Sequence, residues 1–127
     1  MPNSKPTTAV AAIPVTDAIV DGGSVLTPKF AAIAASSSGN NTLVAAVTGK
    51  KIRVLALYLV ANGDVNAKFQ SAASGTDLTG LAYLVANAGF VLPFNPLGWF
   101  ETTAAALLNL NLSGAVAVGG ALTYVEV

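Results

Sequence analysis

The sequence predicts an all-β chain: a single β-sandwich of jelly-roll type with an extended N-terminal arm. Three observations predict it. Apolar residues recur with a period of two in several short runs. Glycine, proline, asparagine and serine separate those runs at close intervals. No segment sustains the 3.6-residue apolar period of an amphipathic helix. The length, 127 residues, sets the scale at one domain with one core.

Residues 1–35 hold four of the six prolines, Pro2, Pro6, Pro14 and Pro28. The apolar pieces between them, "AVAAIPV" and "KFAAIAA", are too brief for stable helices, so this zone reads as an extended arm or a pair of edge strands. Pro14, Pro28 and Phe30 are its candidate contact residues. Residues 36–42, "SSSGNNT", read as a linker by composition, and the sandwich is expected over residues 43–127.

In "KKIRVLALYLVANGDVNAKFQS", alternation puts Ile52, Val54, Ala56, Tyr58 and Val60 on one face and Arg53, Leu55, Leu57 and Leu59 on the other. Both faces are apolar beyond Arg53, which predicts a strand buried on both sides. Asn62-Gly63 tolerates positive φ and predicts a tight hairpin turn. The following strand alternates cleanly, with Val65, Ala67 and Phe69 inward and Asn66, Lys68 and Gln70 outward. "LLNLNLS" places Leu108, Leu110 and Leu112 on the core face and Asn109 and Asn111 on the solvent face. Before it, the alanine run in "TTAAALLNL" is the one place where a turn of helix is expected. "AVAVGGALTYVEV" reads as two short strands around Gly119-Gly120, or as one long strand with a bulge there. The pentapeptide "YLVAN" stands at 58–62 and again at 83–87; two similar strand endings explain it better than a duplicated hairpin.

Composition narrows the function classes. Charged residues make up 9% of the chain and hydrophobic residues 54%, with a mean hydropathy of +0.66 and a formal net charge of +0. An ordinary soluble domain carries about 25% charged residues, so self-assembly or docking onto a larger body is expected. Lys50, Lys51 and Arg53 form the one basic cluster, read as solvated residues at a turn, and no nucleic-acid partner is expected. The uncharged runs 78–100 and 102–125 are interrupted by Gly, Pro and Asn, unlike a membrane-spanning helix. "MPNSKPTTAV" lacks the apolar core of a secretory signal, so the chain reads as used without export.

Catalysis finds no foothold. With His 0 and Cys 0, the usual general base, the thiolate nucleophile and the commonest metal ligands are missing. No GxSxG, SxxK, DxDxDG or phosphate-cradling loop is present. The acids Asp64 and Asp77 sit in turn contexts, "NGDV" and "GTDLTG", where Asp caps its own backbone. The tripeptides at 40–42 and 111–113 match the glycosylation acceptor by chance. No catalytic residue, metal or cofactor is expected.

One segment is unusual for an uncharged chain. In "VLPFNPLGWFET", Pro93 and Pro96 force an irregular path that carries Phe94, Leu97, Trp99 and Phe100. These side chains either plug a corner of the core or form an interface with Trp99 as its anchor; an active-site loop ranks third. A sugar-binding platform built on Trp99, Tyr83 and Tyr124 is the reading from another class, opposed by apolar contexts that suggest burial.

Together "TLVAAVTGKKIRVL", "PFNPLGWFET", "LNLNLSGAVAVGG" and "LTYVEV" resemble small virion proteins of tailed bacteriophages, over about two-thirds of the chain. The resemblance implies a jelly-roll or related β-sandwich accessory protein: a decoration or cement protein on the capsid exterior, often trimeric, whose partners are the major capsid protein or another virion protein. It equally implies the base domain of a head fibre or tail component. It supplies no functional residues to transfer.

Overall fold

The computed structural model describes residues 19–127. Twelve strands follow in order: β1 (Ile19–Asp21), β2 (Ser24–Leu26), β3 (Lys29–Ala35), β4 (Gly39–Val44), β5 (Ile52–Ala61), β6 (Val65–Ser71), β7 (Thr76–Asp77), β8 (Ala82–Leu84), β9 (Gly89–Leu92), β10 (Phe100–Glu101), β11 (Leu108–Leu112) and β12 (Val118–Glu126). Among the described residues there is no helix. The alanines before β11 form a turn instead, with Ala105 at φ 62, because β11 starts within a few residues and leaves no room for a helical turn.

Two five-stranded antiparallel sheets make the sandwich. The first runs β10–β5–β12–β3, with β9 continuing the β10 edge along β5; the second runs β4–β11–β6–β7, with β8 continuing the β7 edge along β6. Pairing is nested: β3 with β12, β4 with β11, β5 with β9, β6 with β8. Those eight strands are a folded-over hairpin whose arms are split between two sheets, which is the jelly-roll arrangement the sequence predicts.

The domain boundaries read from composition need correction. Residues 29–35 take the edge-strand alternative of the two expected for 1–35: they form an edge strand of the first sheet, paired along β12 from Ala35↔Val118 to Lys29↔Tyr124. The supposed linker 36–42 is a turn followed by most of β4. Asn41 Oδ1 accepts the Ser36 and Ser37 amides at 3.3 and 3.1 Å and its Nδ2 donates to Ser37 O at 2.8 Å, so the polar residues close the turn from within. The sandwich therefore begins at Lys29, not at 43. The arm expectation for residues 1–18, Pro14 included, lies outside the described residues.

Asn62-Gly63 also plays a different part. β5 and β6 belong to different sheets, so residues 62–64 arch across the sandwich and make no hairpin. The two "YLVAN" copies likewise fall in different sheets, one on β5 and one from β8 onward, which excludes a duplicated hairpin.

The core lies between the sheets. Ile33, Leu57, Leu59, Val118 and Leu122 face Val65, Phe69, Leu108, Leu110 and Leu112. Along β5 the alternation reverses once. Thr123 and Tyr124 on β12 pair with Ala56 and Val54, which leaves Leu55 as an extra residue in a β-bulge. Val54 and Leu55 are both 0% exposed, but Leu55 is packed on the outer side with Ile19 and Val125, in a second small core under the β1–β2 hairpin. Past the bulge Leu57, Leu59 and Ala61 point inward, so Tyr58 and Val60 emerge on the outer face. The expectation of burial on both sides holds only at Leu55. β12, in turn, is one continuous strand, and the bulge opposite it sits at Leu55, away from Gly119-Gly120.

Candidate functional site

The two outer faces of the sandwich differ in chemistry. On the second sheet the outer face is a polar lattice. Asn109, expected in solvent, is 0% exposed: its Nδ2 donates to Gln70 Oε1 and to Asn40 Oδ1, each at 2.9 Å, and its Oδ1 accepts the Asn41 amide at 2.8 Å. Gln70 Nε2 continues to Asp77 Oδ1 at 2.9 Å, and Lys68 Nζ reaches the same oxygen at 3.1 Å. The Gln70 hydrogen bond, then Lys68, hold the Asp77 carboxyl below its ordinary value. Among the described residues no buried side-chain nitrogen or oxygen lacks a hydrogen-bond partner, and the buried amides of this lattice, Asn109 and Gln70, bond to neighbours on the sheet, which makes it a structural device.

The outer face of the first sheet is apolar. From the registers, its rows are Phe30–Thr123–Ala56, Ala32–Ala121–Tyr58–Val91 and Ala34–Gly119–Val60. Phe30 is 78% exposed, Val91 69% and Tyr58 51%. A depression of about 350 Å³ lies over this face between Phe30 and Phe94, floored by Ala56, Ala121 and Thr123.

Beside that depression stands the Pro93–Trp99 loop, which links β9 to β10 along the edge of β5. Its path is fixed by the backbone of the bulged strand: Asn95 N donates to Leu55 O at 2.9 Å and Trp99 N to Val54 O at 2.8 Å. Asn95 Oδ1 accepts the Leu97 amide at 3.0 Å, and Trp99 Nε1 donates to Pro93 O at 2.8 Å. Gly98 takes φ 87, and a Cβ there would lie 2.5 Å from Arg53 Cγ, so only glycine fits this turn. The loop is thus locked internally while Leu97, 84% exposed, and Phe94, 58% exposed, point away from it.

The four candidates in this segment divide. Phe100 enters the core, its ring 4.9 Å from that of Phe69 on the opposite sheet. Trp99 lines a second cleft of about 360 Å³ with Phe69, Phe90, Leu92, Phe100 and Leu81. Phe94 and Leu97 are the outward pair. Pro28 is exposed between β2 and β3, and Phe30 lies on the apolar face. The sugar-platform aromatics do not converge: Tyr83 is 76% exposed, contrary to the expected burial, whereas Tyr124 packs against the core.

Charge is arranged in pairs. Arg53 Nε donates to Glu101 Oε1 at 2.8 Å and its Nη1 to Asp21 Oδ1 at 3.4 Å; Lys51 lies 3.6 Å from Glu101. Hydrogen bonding to Glu101, ahead of Asp21, raises the Arg53 pKa against the desolvation that opposes it. Two members of the basic cluster, Lys51 and Arg53, are therefore engaged in ion pairs. Among the described residues, no group of three or more Asp and Glu side chains is placed to hold a metal ion.

Comparison with protein-family models, with curated protein sequences and with solved structures finds no match to this chain. Tyr58, Val60 and Val91 are the surface residues that sequence reading missed. The signal for Tyr58 and Val60 was the apolar alternation of β5, but its sense depends on a one-residue bulge that alternation alone cannot locate.

Proposed function

We propose that this protein is a non-enzymatic structural component of a bacteriophage virion that decorates and stabilises the capsid exterior by bridging major capsid subunits. The observation that carries the reading is the locked Pro93–Trp99 loop. It presents Leu97 and Phe94 to solvent from a backbone tied at both ends to β5, so an apolar contact is made with little ordering cost on docking. The resemblance of "PFNPLGWFET" and its companion segments to virion proteins supports the same assignment, as does a surface whose few charges are largely spent on one another. A shell-bound protein needs such contact surface and no chemistry.

The test is co-sedimentation of the purified chain with phage particles lacking it, quantified as copies per particle. Saturation at hundreds of copies, abolished by Leu97→Asp, is the expected result. Saturation at a handful of copies would assign the protein to a head fibre or tail, and no binding would overturn the reading.

A further inference from the structure

The apolar face of the first sheet calls for a cover. Antiparallel sheets with one solvated side carry polar residues there, as the second sheet does with Asn40, Lys68, Gln70, Asp77 and Asn109. The first sheet instead presents three cross-strand rows with no ionisable side chain apart from the phenol of Tyr58. We infer that two copies of this chain pair face to face through this surface, as a two-fold dimer.

Charge, area and shape favour a second copy as the occupant. The charges at the margin are already neutralised, Lys29 by Glu126 at 3.0 Å and Arg53 by Glu101 at 2.8 Å, so two identical faces meet without repulsion and without stranding an ion. Phe30 and Tyr58 are 78 and 51% exposed. With aromatic side chains of about 200 Å² each, and Val60, Val91 and the small residues added, the face offers on the order of 600 Å², within the roughly 600–1,000 Å² per partner of a stable interface. The shape is self-complementary. Phe30 projects at the rim of the 350 Å³ depression, and a two-fold axis sets each Phe30 ring into the depression of the other copy over Ala56, Ala121 and Thr123. Only an isologous pair satisfies both copies at once in this way.

This pairing does not rest on the capsid reading, and one set of measurements separates the two. Light scattering of the full chain should give twice the 12.7 kDa chain mass. Phe30→Glu and Ala121→Arg, both on the outer face, should each weaken the dimer at least ~100-fold while leaving the circular dichroism spectrum and the thermal midpoint of the monomer close to wild type. A monomer at tens of micromolar would overturn the inference, with residues 1–18 or another protein then left to cover the face. So would a trimer, or a dimer that both substitutions leave intact. A monomeric Phe30→Glu protein that still saturates capsids upholds the pair and the capsid role as separate surfaces; a wild-type dimer that ignores capsids upholds the pair and removes the capsid role.

Discussion

Asn109 Nδ2 donates to Gln70 Oε1 at 2.9 Å across the β11–β6 ladder, with both side chains buried on the outer side of a sheet. The amide is satisfied on every side, so removing it strands partners with nothing to replace it. Asn109→Ala should lower the unfolding free energy by about 1–3 kcal/mol, read from the urea midpoint. Asn111→Ala, two register positions away and half-exposed, should cost less than half as much.

Gly120 meets β5 more closely than any side chain allows. A Cβ there would overlap the Tyr58 carbonyl oxygen and stand 2.8 Å from its carbon, whereas Gly114 has open space. Gly120→Ala should destabilise the sandwich by about 2 kcal/mol or more, and Gly114→Ala should leave the thermal midpoint nearly unchanged. Equal effects would show that the β12–β5 approach has slack.

Leu55 ties the β1–β2 hairpin to the sandwich through Ile19 and Val125. Leu55→Ala should cost about 2–5 kcal/mol and should speed proteolytic cleavage before Lys29. Val60→Ala, on the same strand but 45% exposed, should do neither.

Asp77 links stability to pH. Its carboxyl is held below the ordinary value by Gln70 and then Lys68, so the folded state takes up its proton less readily than the unfolded chain. The stabilisation is present above the ordinary carboxylate range and is lost as pH falls through the lowered folded value. Asp77→Asn should therefore narrow the gap to wild type between about pH 7 and about pH 3, measured by urea midpoints at each pH. The exposure of Asp77 keeps the effect small, and ~0.5 M salt should reduce it further.

Strand identity was legible in several places because period-two patterning reports a local choice between faces. The inward set Val65, Ala67 and Phe69 is buried as the alternation of β6 predicts, and so are Leu108, Leu110 and Leu112 on β11. The same logic failed at Asn109, since burial of an amide depends on partners at 40, 41 and 70 that only folding assembles. It failed again on β5, where one extra residue at Leu55 turns the later alternation over and brings Tyr58 and Val60 to the surface. "SSSGNNT" read as a linker because turn-forming residues and the polar start of an edge strand have the same composition.

By itself the sequence determined that this chain would be a β-sandwich poor in charge, because residue alternation and turn chemistry act over a few neighbours along the chain. Only the tertiary structure decided the nested strand order, the bulge at Leu55, and the split of one outer face into a polar lattice and the other into a bare apolar sheet. Those features arise from pairings between residues far apart in the chain, such as Gly120 with Leu59 and Asn109 with Gln70, and spacing along a single chain carries no record of which distant strands will meet.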